Sequence, residues 1–158
     1  MDAASYLSSV IEVAIGIAGF AGIIAAIRQR SVTSWPAQQL IMLQVLLFAS
    51  AAAIVLSLLP AVLTEAGLDE DTVWCICGGA LTAWITIAGS YRAIQSRSAG
   101  VTLPLPRPVL TLGAIAVILQ VYNILGPRDA WPFLAGLIAL VVNGFSMFLL
   151  LLLRPLDE

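Results

Sequence analysis

The stretch SYLSSVIEVAIGIAGFAGIIAAIRQR, residues 5–30, decides how the chain reads. From residue 5 to residue 27 it carries a single charge, Glu12. An apolar helix of that length, rising 1.5 Å per residue, is about as long as the ~30 Å hydrocarbon core of a bilayer. At about 100° per residue, Glu12, Gly16, Gly19, Ile23, Ala26 and Arg30 fall within roughly 40° of one line. One narrow face therefore runs from an acid, through nearly bare backbone, to a base. The candidate path residues are Glu12, Gly16, Gly19, Ile23 and Arg30.

The rest of the chain matches this stretch. Of its 158 residues, 61% are hydrophobic and 10% charged, and the mean hydropathy is +1.03. A soluble domain is about 45–50% apolar. The expected fold class is all-α: a polytopic integral membrane protein forming a single transmembrane domain over residues 1–158. No hydrophilic run is long enough to fold outside the bilayer, so any chemistry must use the spans and short loops. The formal charge of -2 identifies no partner, because charge distribution matters more than its sum.

The sequence contains no Lys and no His. That removes a retinal Schiff base, the usual axial ligand of haem, the commonest transition-metal ligand, and Ser-His or Cys-His nucleophile activation. Cys75 and Cys77 stand two apart on a helix, so their side chains point about 200° apart and cannot bridge each other. Two cysteines alone make no metal site. They read as small apolar fillers. No cofactor and no metal is expected, and an intramembrane enzyme is the least supported class, because one carboxylate in the spans supplies no acid-base pair.

A secretory signal needs a positive segment ahead of its apolar run. Here Asp2 precedes the run and Arg28 follows it, which predicts a retained helix with its N-terminus outside. Five apolar segments are predicted to span, near residues 5–27, 38–63, 72–94, 109–125 and 131–153. Arg28, Arg30, Arg92, Arg97, Arg107 and Arg154 fall on one side of this arrangement, with only Arg128 on the other. The positive-inside rule then gives N-outside, C-inside. The acids Asp2, Glu65, Asp69, Glu70, Asp71 and Asp129 fall outside. Tyr6, Trp74, Tyr122 and Trp131 fall near the outer interface and Trp35 and Tyr91 near the inner one, as interfacial aromatics do. Trp84 sits near mid-span.

Within the spans, Gly16, Gly19 and Gly22, with the four-residue series Ala14, Ala18, Gly22 and Ala26, leave span 1 nearly bare. Such a surface suits close approach of another backbone, either from the chain's own spans or along a pore. Ser34 and Pro36 are a helix-start signal for span 2. Its face Ser50, Ala53, Ser57 and Ala61 reads as interhelical glue, and Pro60 is a kink candidate. The outer acidic cluster Glu65, Asp69, Glu70 and Asp71 has two readings. It favours the positive end of span 3, with Asp71 as a good cap, or it forms a negative vestibule for cations.

Span 3 carries the stripe Cys75, Gly79, Thr82, Thr86 and Gly89, which is expected to face protein or water; threonine hydroxyls can also bond back to their own helix. Pro104, Pro106 and Pro108 predict a stiff extended linker with Pro108 opening span 4. On that span Gly113, Ala116, Gln120 and Asn123 share a face, and the two amides are expected to bond to a neighbouring span. Span 5 places Gly136, Ala139 and Asn143 on one face ahead of a lipid-like run from Phe148 to Leu153. Intramembrane Asn143 is an association signal. The polar intramembrane candidates are thus Thr82, Thr86, Gln120, Asn123 and Asn143.

The lone acid in the first span, within IEVAIG at residues 11–16, resembles the placement found in small multidrug-resistance transporters. Those have four spans, and no residue is carried over from them. Two functions remain. One is a small homo-oligomeric channel or carrier for cations or protons with span 1 lining the path. The other is a non-catalytic accessory or assembly subunit of a larger membrane complex. The partners expected are the lipid bilayer, further copies or other membrane subunits, and cations or protons, with no nucleic acid. The expected location is a plasma membrane, in a prokaryotic cell the inner membrane.

Overall fold

The computed structural model describes residues 3–28, 37–98 and 107–153. Over these residues the chain is all-helical, with α1 (Ala3–Arg28), α2 (Ala37–Glu65), α3 (Glu70–Ser98), α4 (Arg107–Leu125) and α5 (Ala130–Leu153). α1, α2, α3 and α5 are long and apolar enough, by length and composition, to cross a membrane. The apolar part of α4, Leu110–Leu125, is shorter. The predicted segments match all five helices, with ends moved outward by up to four residues. Arg30, Ser34, Trp35, Pro36, Pro104, Pro106 and Arg154 lie outside the described residues.

α5 is the central element. All four other helices touch it, α1–α2, α2–α3 and α3–α4 are neighbours in turn, and among the described residues α1 and α4 do not meet. The four helices thus form an arc around α5, open between α1 and α4. Their directions alternate. At one end Leu7 and Val10 of α1 share a cluster with Leu56, Trp74, Cys77, Leu81, Phe133 and Leu137. At the other, Ile17 and Ala21 join Met42, Leu46, Met147 and Leu151. The first is called here the acidic end, since both described connections, holding Asp69 and Asp129, lie there.

Between apolar helices in lipid the driving force is close packing rather than water exclusion, so small residues mark the seams. A Cβ added at Gly144 of α5 would lie 3.6 Å from the Ala49 Cβ of α2. The lipid-like reading of residues 148–153 is wrong at Leu151, which is 1% exposed and part of the core. Apolar residues suit both environments, so composition could not separate them.

The α2–α3 connection is built by backbone chemistry. Gly67 adopts φ 83°, and its N–H donates to the Thr64 carbonyl at 2.9 Å while Leu68 N–H donates to the Leu63 carbonyl at 3.3 Å. This paired pattern, with glycine in the left-handed region, satisfies carbonyls orphaned at the end of α2. Asp69 then caps α3: its Oδ2 accepts from Thr72 N–H at 3.1 Å and from the Thr72 hydroxyl at 3.0 Å. Asp71, expected as the cap, lies inside the first turn instead.

Candidate functional site

α1 has two opposite sides. Leu7, Val10, Ala14, Ile17 and Ala21 are buried against the bundle. Glu12, Gly16, Gly19, Gly22, Ile23 and Ala26 are exposed on the far side. A Cβ added at Gly16, Gly19 or Gly22 would meet nothing within 4 Å. Among the described residues the glycines therefore do not serve packing within the chain, which is one of the two uses their spacing allows. Ala14 alone of the alanine-glycine series is fully buried; Ala18 is half-buried.

Glu12 stands well inside the apolar helix. The apolar segment of α1 runs Ala3–Ile24, so Glu12 is about 13 Å from its nearer end at 1.5 Å per residue. Of the helix residues ahead of it, Ala4, Ser5, Tyr6, Ser8 and Ser9 are exposed and two are buried. Leu7 and Val10 pack in the cluster of Trp74 and Phe133, whose rings meet at 6.1 Å between centroids. Intramembrane ionisable groups face protein or water, because a charge in hydrocarbon is costly.

The interior amides are arranged differently. Gln120 and Asn123 are fully buried. Gln120 Nε2 donates to the Pro132 carbonyl at 2.6 Å, joining α4 to α5 as their shared face predicts. Asn123 bonds to the turn instead. Its Nδ2 donates to the Asp129 carbonyl at 3.0 Å, its Oδ1 accepts from Asp129 N–H at 2.8 Å, and its own carbonyl accepts from Arg128 N–H at 3.1 Å. Arg128 takes φ 55°, a conformation uncommon outside glycine, held here by this three-bond clasp. Asn143 is half-buried on α5, and its Oδ1 is enclosed without a hydrogen-bond partner among the described residues.

The stripe of α3 is not part of the core. Trp74, Cys77, Gly78 and Leu81 make that side; Thr82 is half-buried and Thr86 and Gly89 are exposed. Thr82 donates to the Gly78 carbonyl at 2.8 Å and Thr86 to the Thr82 carbonyl at 2.8 Å. Both hydroxyls are thus satisfied within the helix and need neither protein nor water.

In the acidic cluster, Asp69 and Glu70 have local partners. Trp74 Nε1–H donates to Glu70 Oε1 at 3.3 Å. The Thr72 hydrogen bonds, helped by the charge of Arg128, hold the Asp69 carboxyl below its ordinary value. Glu65 and Asp71 are exposed. Among the described residues no group of three His, Cys, Asp or Glu side chains is placed to share a metal ion.

Sequence reasoning passed over two buried positions. Gln39 is 6% exposed, and the chemistry of a glutamine one turn into an apolar helix was the available signal. Gly78, which lies beside Gln120, carried no signal, because the partner belongs to another helix. No family model, no curated protein and no solved structure matches this chain.

Proposed function

We propose that this chain is a small homo-oligomeric membrane channel or carrier for cations or protons, non-catalytic, with five spans, N-outside and C-inside, and with α1 of each copy flanking the path. The observation that carries this reading is Glu12, exposed on the outward side of an apolar helix beside three glycines with open space over them. A second helix can approach such a surface closely, and a copy of the same chain would bring its own carboxylate to the shared face. A ring of carboxylates attracts cations.

A path between copies also fits the filled protomer. The centre of the bundle is occupied by Phe133, Leu137, Leu81, Leu46 and Met42, all less than 2% exposed. The arginines at the other end supply the orientation through the positive-inside rule.

The same open glycine face favours a second reading, an accessory subunit whose α1 docks on a different membrane protein. Reconstitution separates the two. The purified protein should be larger than a monomer in detergent and should pass cations or protons in liposomes under an imposed gradient. Glu12→Gln should abolish the flux and its pH dependence while leaving insertion and size unchanged. A monomer without flux favours the accessory reading, and flux unaltered by Glu12→Gln removes α1 from the path.

A further inference from the structure

The seam between α3, α4 and α5 is tight toward the acidic end and loose toward the opposite end, where Arg28, Arg92 and Arg107 lie. In the tight part a Cβ added at Gly136 of α5 would lie 2.5 Å from Leu81 of α3 and 2.7 Å from Gln120 of α4. Seven residues from Gln120 toward the arginine end, about 10 Å along α4, stands Gly113. It falls within roughly 20° of the Gln120 line, and a Cβ there would meet no described residue within 4 Å.

Arg92 lies on the same seam. It follows Leu81 by eleven residues, about 16 Å along α3 and roughly 20° around it. Two contacts bracket its direction. Gln95, about 60° to one side, faces α2, where its Nε2 donates to Gln44 Oε1 at 3.2 Å. Gly78, about 40° to the other side, faces Gln120 and Ile124 of α4. Arg92 therefore stands on the bundle side of α3, where it is half-buried. Among the described residues it has no hydrogen bond and no ion pair. No described acid is placed to supply one: Glu65, Asp69, Glu70, Asp71 and Asp129 lie at the acidic end, and Glu12 is on α1, which among the described residues does not touch α3.

We propose that Arg92 seats a phosphate group that enters the α3–α4–α5 seam from the arginine end. A guanidinium carries its N–H donors in a fork that matches phosphate oxygens, and a desolvated cation without an anion is costly. The depth suits a phosphate. Arg92 is eighteen residues from Trp74, about 27 Å, so it lies almost one ~30 Å hydrocarbon core away from the level of an interfacial tryptophan. That is the boundary where the headgroups of the other leaflet begin. Gln95, one turn on, adds a second donor, since its Nε2 keeps one hydrogen beyond the bond to Gln44. A lipid phosphodiester and free inorganic phosphate bring the same oxygens to this fork.

Two measurements on the detergent-purified protein test the site and separate its sources. Native mass spectrometry compares retention of phosphatidylglycerol with that of diacylglycerol bearing the same chains. Thermal unfolding compares sodium phosphate with sodium chloride at equal ionic strength. Selective retention of about one phosphatidylglycerol per chain assigns the phosphate to a lipid, and a rise in the unfolding midpoint specific to phosphate assigns it to solution. Either response should vanish in Arg92→Gln, and also in Gly113→Leu, which fills the seam from α4 and leaves the charge in place. It should persist in Arg28→Gln, which removes the same charge at the same end. Absence of both responses in the wild type would overturn the proposal. Equal loss in Arg28→Gln and Arg92→Gln would overturn it as well, by reducing the site to diffuse attraction. A response lost in Arg92→Gln but kept in Gly113→Leu would overturn the placement in the seam.

Discussion

Glu12 on α1 and Gln120 on α4 are both polar residues inside apolar helices with glycines beside them, yet the fold treats them in opposite ways. Around Gln120 the glycines come from other helices. A Cβ at Gly136 would lie 2.7 Å from Gln120 Nε2 and 2.5 Å from Leu81 Cδ2, and one at Gly78 would lie 3.2 Å from Gln120 Oε1. The amide fills the space that two bare backbones leave, and its N–H finds the Pro132 carbonyl. Around Glu12 the glycines belong to its own helix and face no other described residue. Polar groups and small residues associate helices in lipid; the first set is used within the chain, and the second is left open to something outside it.

The largest expected effect that separates the two regions is steric. Gly136→Leu pushes a branched side chain into Leu81 and Gln120, both fully buried and unable to swing aside. Overpacking of this kind costs about 1–3 kcal/mol or more. Thermal unfolding in detergent should show a large loss for Gly136→Leu and none for Gly19→Leu in the isolated protomer. Gly19→Leu should instead change oligomer size. Equal stability losses at both positions would erase the distinction.

Next in size is the clasp at the α4–α5 turn. Asn123→Ala strips both side-chain bonds to Asp129 and leaves backbone groups unpaired, a cost of about 1–3 kcal/mol. Hydrogen exchange at residues 126–130 should speed up with it. A smaller loss, roughly 1 kcal/mol, is expected for Gln120→Leu, since one interhelical bond disappears and its Oε1, which has no hydrogen-bond partner among the described residues, goes as well. Glu12→Gln should leave stability unchanged. A loss at Glu12 matching that at Gln120 would mean the two sites are partnered alike.

The smallest effect is in the loop. Asp69 is a carboxylate whose folded value is lowered by Thr72, so it contributes stability above its unfolded value, and that contribution fades as pH falls through the folded value. The midpoint of unfolding should therefore drop in acid more for the wild type than for Asp69→Asn. Identical acid profiles would show that the Thr72 hydrogen bonds do not favour the ionised cap.

Helix number and rough limits were legible because each apolar run is long and bounded by loops holding Gly67, Pro127 or the arginines. The pairing of Gln120 with Asn123 on one side of α4 was legible from spacing alone. The choice of Asp69 over Asp71 as cap was not, because an acidic run offers several caps and the end of α2, set by Gly67, decides which one falls at the helix start. Nor could the run Phe148–Leu153 reveal that Leu151 is core.

The sequence by itself determined the helices, their apolar character, and which residues lie along one line of each helix, since these follow from composition and a 3.6-residue period. Only the tertiary structure decided which way each line points. In water an apolar stripe marks the inner side, because the opposite side must be polar. In a bilayer both sides are apolar, so the pattern along α1 cannot orient the helix. The contacts of Leu7, Ala14 and Ala21 with α2 and α5 do that, and they turn Glu12 and its glycines outward.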